Sequence, residues 1–338
     1  VLLTLSWPVQ GFSFLIFFSL IPLLFVEYQI TKENSKRKKI RLFVLSYIGF
    51  FVWNFGTTWW IVNSSIFGMV FAISCNTLFY TILIMLFHWS KKRLPLRTAY
   101  VFLVSLWIAF EKFHLEWDFS WPWLNLGNVF SEDIHWIQWY EFTGSFGGSL
   151  WVLLINIGLF EALKNHPFTL KNTLWIKKLS PWLIGIAVPV TISLILFQRE
   201  NELIPTTEVL LLQPNIDPYN EKYDRKNDYY FNLMVDMIAD QISDETRYIF
   251  TPETYFGAGF GASLEDFKTT ALHRKLDSLL EKNRKIQLVS GIQTFRIYRT
   301  DNPPTLSANL IGNSVWADFY NSALKMEYQQ NPEFYHKS

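Results

Sequence analysis

Residues 180–213, SPWLIGIAVPVTISLILFQRENELIPTTEVLLLQ, contain the point at which the character of the chain changes. Residues 180–198 are an apolar run without a charged side chain. About 20 mostly apolar residues are enough for a helix to cross the hydrocarbon core of a membrane. Residues 208–213 then have the length and aliphatic composition of a buried strand. We therefore expect a membrane-spanning half up to about residue 200 and a half of different architecture after it.

The composition supports two unlike halves. Of the 338 residues, 50% are hydrophobic and 18% aromatic, whereas only 17% are charged, against roughly 25% in ordinary soluble domains. This excludes a disordered chain, a coiled coil and a collagen-like chain. The mean hydropathy of +0.13 is too low for a chain that lies in the membrane from end to end.

Charge and cysteine content exclude further classes of protein. The net charge is +1, so bulk basicity does not favour nucleic-acid binding. One Cys excludes a disulfide framework and a Cys-based zinc or iron–sulfur site. The six His are scattered and form no recognisable ligand pattern. We expect no metal and no cofactor.

Apolar runs of spanning length recur before residue 200. We predict membrane helices near residues 12–27, 41–61, 67–89, 98–113, 144–163 and 180–198. The chain begins with Val inside an apolar run. Residues 1–9 are therefore interpreted as the tail of an earlier, truncated span.

Basic residues alternate between successive loops. The first, third and fifth loops carry Lys and Arg, whereas the second and fourth carry none. By the positive-inside rule the odd-numbered loops are cytoplasmic, so everything after residue 200 should lie outside the cytoplasm. The basic residues are Lys32, Lys36, Arg37, Lys38, Lys39 and Arg41 in the first loop, Lys91, Lys92, Arg93 and Arg97 in the third, and Lys164, Lys171, Lys177 and Lys178 in the fifth.

Aromatic and polar residues of the membrane half suggest further features. Residues 117–126, WDFSWPWLNL, form either an aromatic belt at the membrane interface or a lipid-facing floor under an extracytoplasmic site; the two are compatible. Asn156 is expected to make an interhelical hydrogen bond. Glu111 is expected at the interface, although ionisable groups near the membrane are functional candidates. Cys75, in the third apolar run, is interpreted as a packing residue.

Strands and helices alternate after residue 200, which indicates a layered α/β domain. Ser263 is the predicted N-cap of the second helix, and Gly312 interrupts the last strand. The predicted strands are residues 208–213, 248–250, 286–292 and 306–317, and the predicted helices are residues 225–241 and 263–283.

Two residues of this half are candidates for chemistry. Glu253 follows Pro252 at the end of a predicted central strand, where open α/β sheets place their sites. It can act as a general base if burial raises its pKa toward neutrality. The alternative is an exposed loop Glu. Lys337, considered alone, is typical of an ordinary surface lysine.

Four short motifs resemble the ordered landmarks of the nitrilase superfamily. They are QPNI at 213–216, TPE at 251–253, GNS at 312–314 and YHK at 335–337. Membrane spans before such a domain resemble the bacterial apolipoprotein N-acyltransferase family, as do PWL at 122–124 with Gly127 and EFTG at 141–144. The resemblance implies a multi-span α-helical membrane bundle followed by an α/β nitrilase-like α-β-β-α sandwich domain, which is incomplete here.

The resemblance also implies domains and roles. Residues 1–200 would be the transmembrane domain, with about six full spans and a truncated first one, and residues 206–338 a truncated extracytoplasmic domain of the carbon–nitrogen hydrolase type. In the family's Glu-Lys-Cys triad, Glu253 would be the general base and Lys337 the oxyanion stabiliser. The nucleophilic Cys would lie beyond residue 338, and Cys75 cannot replace it because it lies in a span.

The same resemblance suggests substrate-binding aromatics. Tyr223 falls where the family often has an aromatic that helps to hold substrate, although Trp would match more closely. Tyr255 and Phe256 begin the stretch YFGAGFGA at 255–262. This stretch is expected to be either a mobile lid that enters lipid or an apolar loop packed on the bundle.

The implied activity is the last step of lipoprotein maturation. An acyl chain would move from a phospholipid donor, through a Cys thioester, to the α-amino group of the diacylglyceryl-cysteine of a lipoprotein acceptor. The protein would be a multi-pass monomer in the bacterial inner membrane, with its α/β domain in the periplasm, in contact with membrane lipid and without nucleic acid. This chain alone would be inactive. Two alternatives remain: a membrane-tethered amidase or nitrilase with a small substrate, and a non-enzymatic scaffold in which Glu253 and Lys337 would lie far apart.

Overall fold

The computed structural model describes residues 1–8, 10–164, 174–199, 206–217, 221–222 and 225–337. The chain divides into two compact units, Val1–Leu203 and Ile204–Ser338. The first unit is helical and the second contains a mixed sheet with helices. The predicted order, a helical bundle and then an α/β domain, is confirmed.

The first unit consists of α-helices joined by short 3₁₀ segments. The 3₁₀ segments are Ser13–Phe18, Trp59–Asn63, Pro122–Leu124, Leu126–Phe130 and Ile134–Trp136. The α-helices are α1 Leu2–Leu5, α2 Ile21–Lys32, α3 Lys38–Thr58, α4 Ile66–Ser90, α5 Leu96–Glu116, α6 Tyr140–Leu163 and α7 Leu174–Arg199.

All six predicted apolar spans are confirmed as helical segments. Within the described part of the chain, six segments are long and apolar enough to cross a membrane. Each overlaps one predicted run. Their bounds are Ser13–Lys32, Lys38–Asn63, Ile66–Ser90, Leu96–Glu116, Tyr140–Leu163 and Lys177–Gln198.

Asn156 makes the predicted interhelical hydrogen bonds. Its amide, buried on α6, donates to the carbonyl oxygen of Ile16 at 2.9 Å and accepts from the backbone N–H of Leu20 at 2.8 Å. These bonds reach backbone groups on either side of the break between the 3₁₀ segment Ser13–Phe18 and α2. Backbone N–H and C=O groups in hydrocarbon need hydrogen-bond partners inside the protein. Asn156 supplies such partners where the helical hydrogen bonds are interrupted.

Glu111 is buried inside the bundle, and its predicted position at the membrane interface stays a prediction. Its side chain is fully buried and accepts hydrogen bonds from Trp107 Nε1 at 3.1 Å and from the backbone N–H of Leu126 at 2.8 Å. The segment that follows α5 folds back over the helix end and covers the carboxylate. The sequence places a charged residue near the end of a span. It does not show that the segment after the span folds back and covers this residue.

The second unit contains two α-helices and one sheet among its described residues. The helices are α8 Asn227–Ile238 and α9 Ala271–Lys282. The strands are β1 Glu208–Leu211, β2 Thr246–Phe250, β3 Ala262–Ser263, β4 Gln287–Arg299, β5 Asn309–Gly312, β6 Val315–Met326 and β7 Glu333–His336. Their order is β1-β2-β4-β6-β5, with β3 on β4 and β7 on β6. The pairs β1–β2 and β2–β4 are parallel, and β4–β6 is antiparallel.

Both helices pack on one face of this sheet. Met234 of α8 and Leu276 of α9 share one hydrophobic cluster with Leu288 and Ile292 of β4 and Leu324 of β6. The burial of alternate residues along β4 shows which face the helices cover. Residues 206–217, 221–222 and 225–337 thus form one sheet with one helical layer. The second sheet of the α-β-β-α sandwich stays a prediction.

Several element boundaries differ from the prediction: the strand predicted at 286–292 runs from Gln287 to Arg299, and a helix start and a hairpin also differ. The second helix does not begin at Ser263, which lies in β3, but at Ala271, where Thr270 Oγ1 accepts from the backbone N–H of His273 at 3.1 Å. The predicted strand 306–317 is a hairpin, because the chain turns after Gly312 and returns as β6. The two residues between the strands are Asn313 and Ser314, and the prediction treated Gly312 as an interruption of one strand.

Candidate active site

Glu253 lies just beyond the carboxyl end of β2, over the neighbouring strand β4. The segment stays bonded to β4 through the backbone N–H of Phe256, which donates to the carbonyl oxygen of Gly291 at 3.0 Å. Gly291 makes this approach possible. A Cβ at that position would lie 2.2 Å from the carbonyl oxygen of Pro252 and 2.7 Å from Cα of Glu253. The absence of a side chain at Gly291 therefore fixes where Glu253 leaves the sheet.

Lys337, the last residue that the structure describes, also contacts Glu253. It follows β7, and its backbone N–H donates to the carbonyl oxygen of Asn321 in β6 at 2.9 Å. Its ammonium Nζ donates to Glu253 Oε1 at 3.0 Å. The predicted proximity of the two side chains is confirmed. The scaffold alternative required Glu253 and Lys337 to lie far apart, and their contact contradicts that requirement.

Asn321 is a third member of the site that the sequence reasoning missed. Its side-chain amide donates to the same oxygen, Glu253 Oε1. The motif GNS at 312–314 had been matched to a family landmark, but it forms the hairpin turn, where Ser314 has a φ of 53°. The sequence feature that could have identified it is a polar Asn within the strand sequence ADFYNSAL at 317–324. This Asn lies on the sheet face opposite the helices.

A pocket of ≈ 200 Å³ lies beside Glu253. The motif at 213–216 forms one wall of it. Lys222 also contributes, and its Nζ donates to the main-chain carbonyl oxygen of Glu253 at 3.0 Å. The lining residues are Gln213, Pro214, Asn215, Ile216, Lys222, Tyr230, Pro252, Glu253 and Tyr255.

The electrostatics of Glu253 do not meet the condition stated for a general base, which was a pKa raised by burial. Its side chain is 60% exposed and that of Lys337 is 70% exposed. The hydrogen bond from Lys337, and then that from Asn321, lower the pKa of Glu253 below its usual value. Burial is too slight to reverse this. Near neutral pH Glu253 is therefore an ionised hydrogen-bond acceptor.

The predicted substrate-binding aromatics have different positions. Tyr255 lines the pocket, but it is buried, and its hydroxyl donates to the carbonyl oxygen of Tyr230 at 2.8 Å. Phe256 has no exposed surface and belongs to the hydrophobic core of the α/β unit. Its side chain therefore does not form an exposed lid, and its role in substrate binding stays a prediction. Tyr223 lies outside the described residues.

The exposed aromatic of this stretch is Phe260. It is 77% exposed and lies between Gly259 and Gly261, whose φ angles are 62° and 94°. Glycine adopts these left-handed conformations without strain. The alternation of aromatics and glycines in YFGAGFGA did not reveal which ring points outward, because that depends on the pairing of Phe256 with β4.

The two units together define a class of protein. The chain is a multi-span membrane protein, and its α/β unit carries a carboxylate–ammonium pair beside a pocket at the end of a parallel strand.

Comparison with known proteins shows which proteins this chain is similar to. Residues 1–158 match the family model described as the apolipoprotein N-acyltransferase N-terminal domain. An apolipoprotein N-acyltransferase from Chlorobaculum tepidum is 27% identical over 222 residues, which are 65% of this chain and 40% of that protein. The chain is thus similar to apolipoprotein N-acyltransferases, and the resemblance predicted from the sequence is confirmed. The match spans less than half the length of this relative.

Proposed function

We propose that this chain forms part of a phospholipid:apolipoprotein N-acyltransferase. The observation that carries the proposal is the 3.0 Å contact between Glu253 and Lys337 in a membrane protein similar to members of that family. A carboxylate and an ammonium that meet at one point can supply the base and the oxyanion stabiliser that acyl transfer needs.

The proposed reaction has two acyl-transfer steps. Glu253 accepts the proton of a Cys thiol, and the thiolate attacks the ester carbonyl carbon of a phospholipid. Lys337 stabilises the oxyanion that forms, and the lysophospholipid leaves with the proton. The α-amino group of a diacylglyceryl-cysteine then attacks the thioester, which releases the thiol and forms the amide.

The nucleophile is not one of the residues around Glu253. The chain has a single Cys, Cys75, which lies on α4 in the other unit. By the resemblance, the reacting Cys follows residue 338. We therefore propose that residues 1–338 alone form no acyl-enzyme, although they can bind a phospholipid beside Glu253.

The orientation is part of the same proposal. The alternation of basic loops supports a periplasmic α/β unit in a protein of the inner membrane. Reporter fusions after Phe197 and within residues 165–178 should report opposite sides of the membrane. The same side for both would contradict the orientation and the access to lipoprotein substrates.

The catalytic test uses the natural gene product in phospholipid vesicles. Labelled phospholipid should leave a hydroxylamine-sensitive adduct, and the label should pass to a diacylglyceryl-cysteine peptide. Glu253→Gln keeps size and polarity but should lower adduct formation by about 10²–10⁴-fold, which is typical of general-base removal. Lys337→Ala should lower it by about 10²–10³-fold, as expected for a lost oxyanion donor.

Matched controls separate a catalytic role from a surface effect. Glu265→Gln and Lys325→Ala remove an exposed carboxylate and an exposed ammonium from ion pairs elsewhere in the unit, and should leave adduct formation unchanged. Wild-type adduct levels in Glu253→Gln would refute the assignment. An adduct on Cys75 in the chain of 338 residues would show that the site has been misplaced. Release of ammonia from small amides, with no lipid adduct, would favour the amidase alternative.

A further inference from the structure

A second pocket, of ≈ 240 Å³, lies within the membrane unit. One wall is a single face of α4, which includes Phe71, Ala72, Cys75 and Phe79. The opposite wall is the end of α5 and the segment after it, with Trp117 and Trp121. No part of the α/β unit contributes to it, so an occupant can be considered independently of the proposed function.

Three polar residues of this pocket, Asn76, His114 and Trp117, are linked by hydrogen bonds. Asn76 Nδ2 donates to Asn54 Oδ1 at 2.6 Å, and His114 Nε2 lies 3.1 Å from Asn76 Oδ1. Trp117 Nε1 donates to His114 Nδ1 at 2.8 Å, which leaves His114 Nε2 as the protonated nitrogen that donates to Asn76. Asn76 and His114 are buried. Because these groups satisfy one another, the pocket presents mainly apolar surface and favours an apolar occupant.

The surroundings of the pocket indicate which apolar group is available. Its walls come from the first half of one candidate membrane span, the end of a second span and the segment that follows it, so lipid of the bilayer is the apolar ligand at hand. At the exposed edge, the rings of Phe71 and Phe119 lie 5.7 Å apart, and both side chains are exposed. A cavity of about 150 Å³ with apolar walls accepts benzene. The volume here suits several methylene groups, but not a helix about 10 Å across.

We propose that this pocket binds one acyl chain of a bilayer phospholipid. The site is separate from Glu253, and the bound chain is held by shape and apolar contact. An annular lipid that exchanges freely over the whole bundle would show no preference for these walls.

The test uses the chain in phosphatidylethanolamine and phosphatidylglycerol vesicles that contain a phospholipid with a diazirine on one acyl chain. After irradiation and digestion, we expect adducts concentrated on Phe71, Ala72, Cys75 and Phe79 of α4 and on residues 114–121. Ala72→Phe places a ring in the pocket and should reduce these adducts fivefold or more. Cys75→Phe fills the pocket from the next turn of the helix and carries the same expectation if Ala72→Phe does not fold.

Val70→Phe is the matched control, because it adds the same ring to the same helix at an exposed position that does not line the pocket. It should leave the adducts on the same α4 residues and on residues 114–121 unchanged. A loss of less than fivefold in a folded pocket-filling variant overturns the proposal. So do adducts spread evenly over exposed positions such as Val70 and Leu78. These outcomes do not depend on acyl transfer, so they can fail or succeed separately from the proposed function.

Discussion

Replacing Gly291 by Ala should move Glu253 away from Lys337 without changing either side chain. The added Cβ would lie 2.2 Å from the carbonyl oxygen of Pro252 and 2.5 Å from the backbone nitrogen of Thr254. Both are backbone atoms, so no side-chain rotation relieves the contact. Ordinary contact begins at 3.4 Å, so the oxygen must move from 2.2 Å to at least that distance, by about 1.2 Å. Overpacking of this kind costs about 1–3 kcal/mol.

The movement is large compared with the contact that it disturbs. The bond from Lys337 to Glu253 is 3.0 Å long, and an added 1.2 Å would break it. A misplacement of about 1 Å can lower catalysis by roughly 10²-fold. We expect that loss in the acyl-transfer assay on the gene product, and faster amide hydrogen exchange in residues 250–256.

Gly312→Ala is the matched control. Its Cβ would meet only the Val315 side chain, at 3.7 Å, which is ordinary contact. This variant should keep both activity and exchange rates. If Gly291→Ala also keeps wild-type activity and exchange, the reasoning that Gly291 positions Glu253 is refuted.

Three further substitutions test the site and the bundle. Lys337→Met should raise the pKa of Glu253 in an isotope-edited infrared titration. The same variant should lose on the order of 0.2–1 kcal/mol of stability at neutral pH, which is a small loss because the ion pair is mostly exposed. A lowered carboxylate pKa contributes stability above the unfolded-state pKa and loses it as pH falls through the folded-state value, so the wild type and this variant should converge in acid. Asn321→Leu should lower acyl transfer roughly tenfold, since hydrogen bonds to charged groups contribute about 1.5–3 kcal/mol and less when exposed; unchanged activity would exclude a positioning role. Asn156→Leu should lower the thermal stability of the detergent-solubilised chain, because the buried N–H of Leu20 loses its acceptor at about 1–3 kcal/mol, whereas the carbonyl oxygen of Ile16 keeps the hydroxyl of Ser19 as a donor; an unchanged Tm would contradict that account.

The membrane half was predictable because its signal is local. A span is a run of about 20 apolar residues, and each run could be identified without knowing what it packs against. The burial of Glu111 could not be found in this way. It depends on Leu126, 15 residues further on, whose N–H turns back to the carboxylate.

The α/β half was predictable in its alternation but not in its pairing. The strand at 246–250 and the helix at 227–238 agree with the predicted segments within a few residues. The hairpin after Gly312 was missed, and this error hid Asn321, because a single strand ending at 317 does not include it. Which of Tyr255, Phe256 and Phe260 is exposed also depends on long-range pairing with β4.

The low pKa of Glu253 and its proposed role as a base are compatible if Lys337 changes partner during the reaction. The first cause of the low pKa is the hydrogen bond from the Lys337 ammonium, and a carboxylate with a low pKa is a weak base. In the proposed reaction the same ammonium stabilises the developing oxyanion, which takes that bond away from Glu253. Asn321 would then remain on the carboxylate, the pKa of Glu253 would rise, and its hold on the thiol proton would strengthen as the oxyanion forms. This hypothesis requires Lys337 to be the main cause of the low pKa of Glu253. An unchanged Glu253 pKa in Lys337→Met would therefore refute the hypothesis.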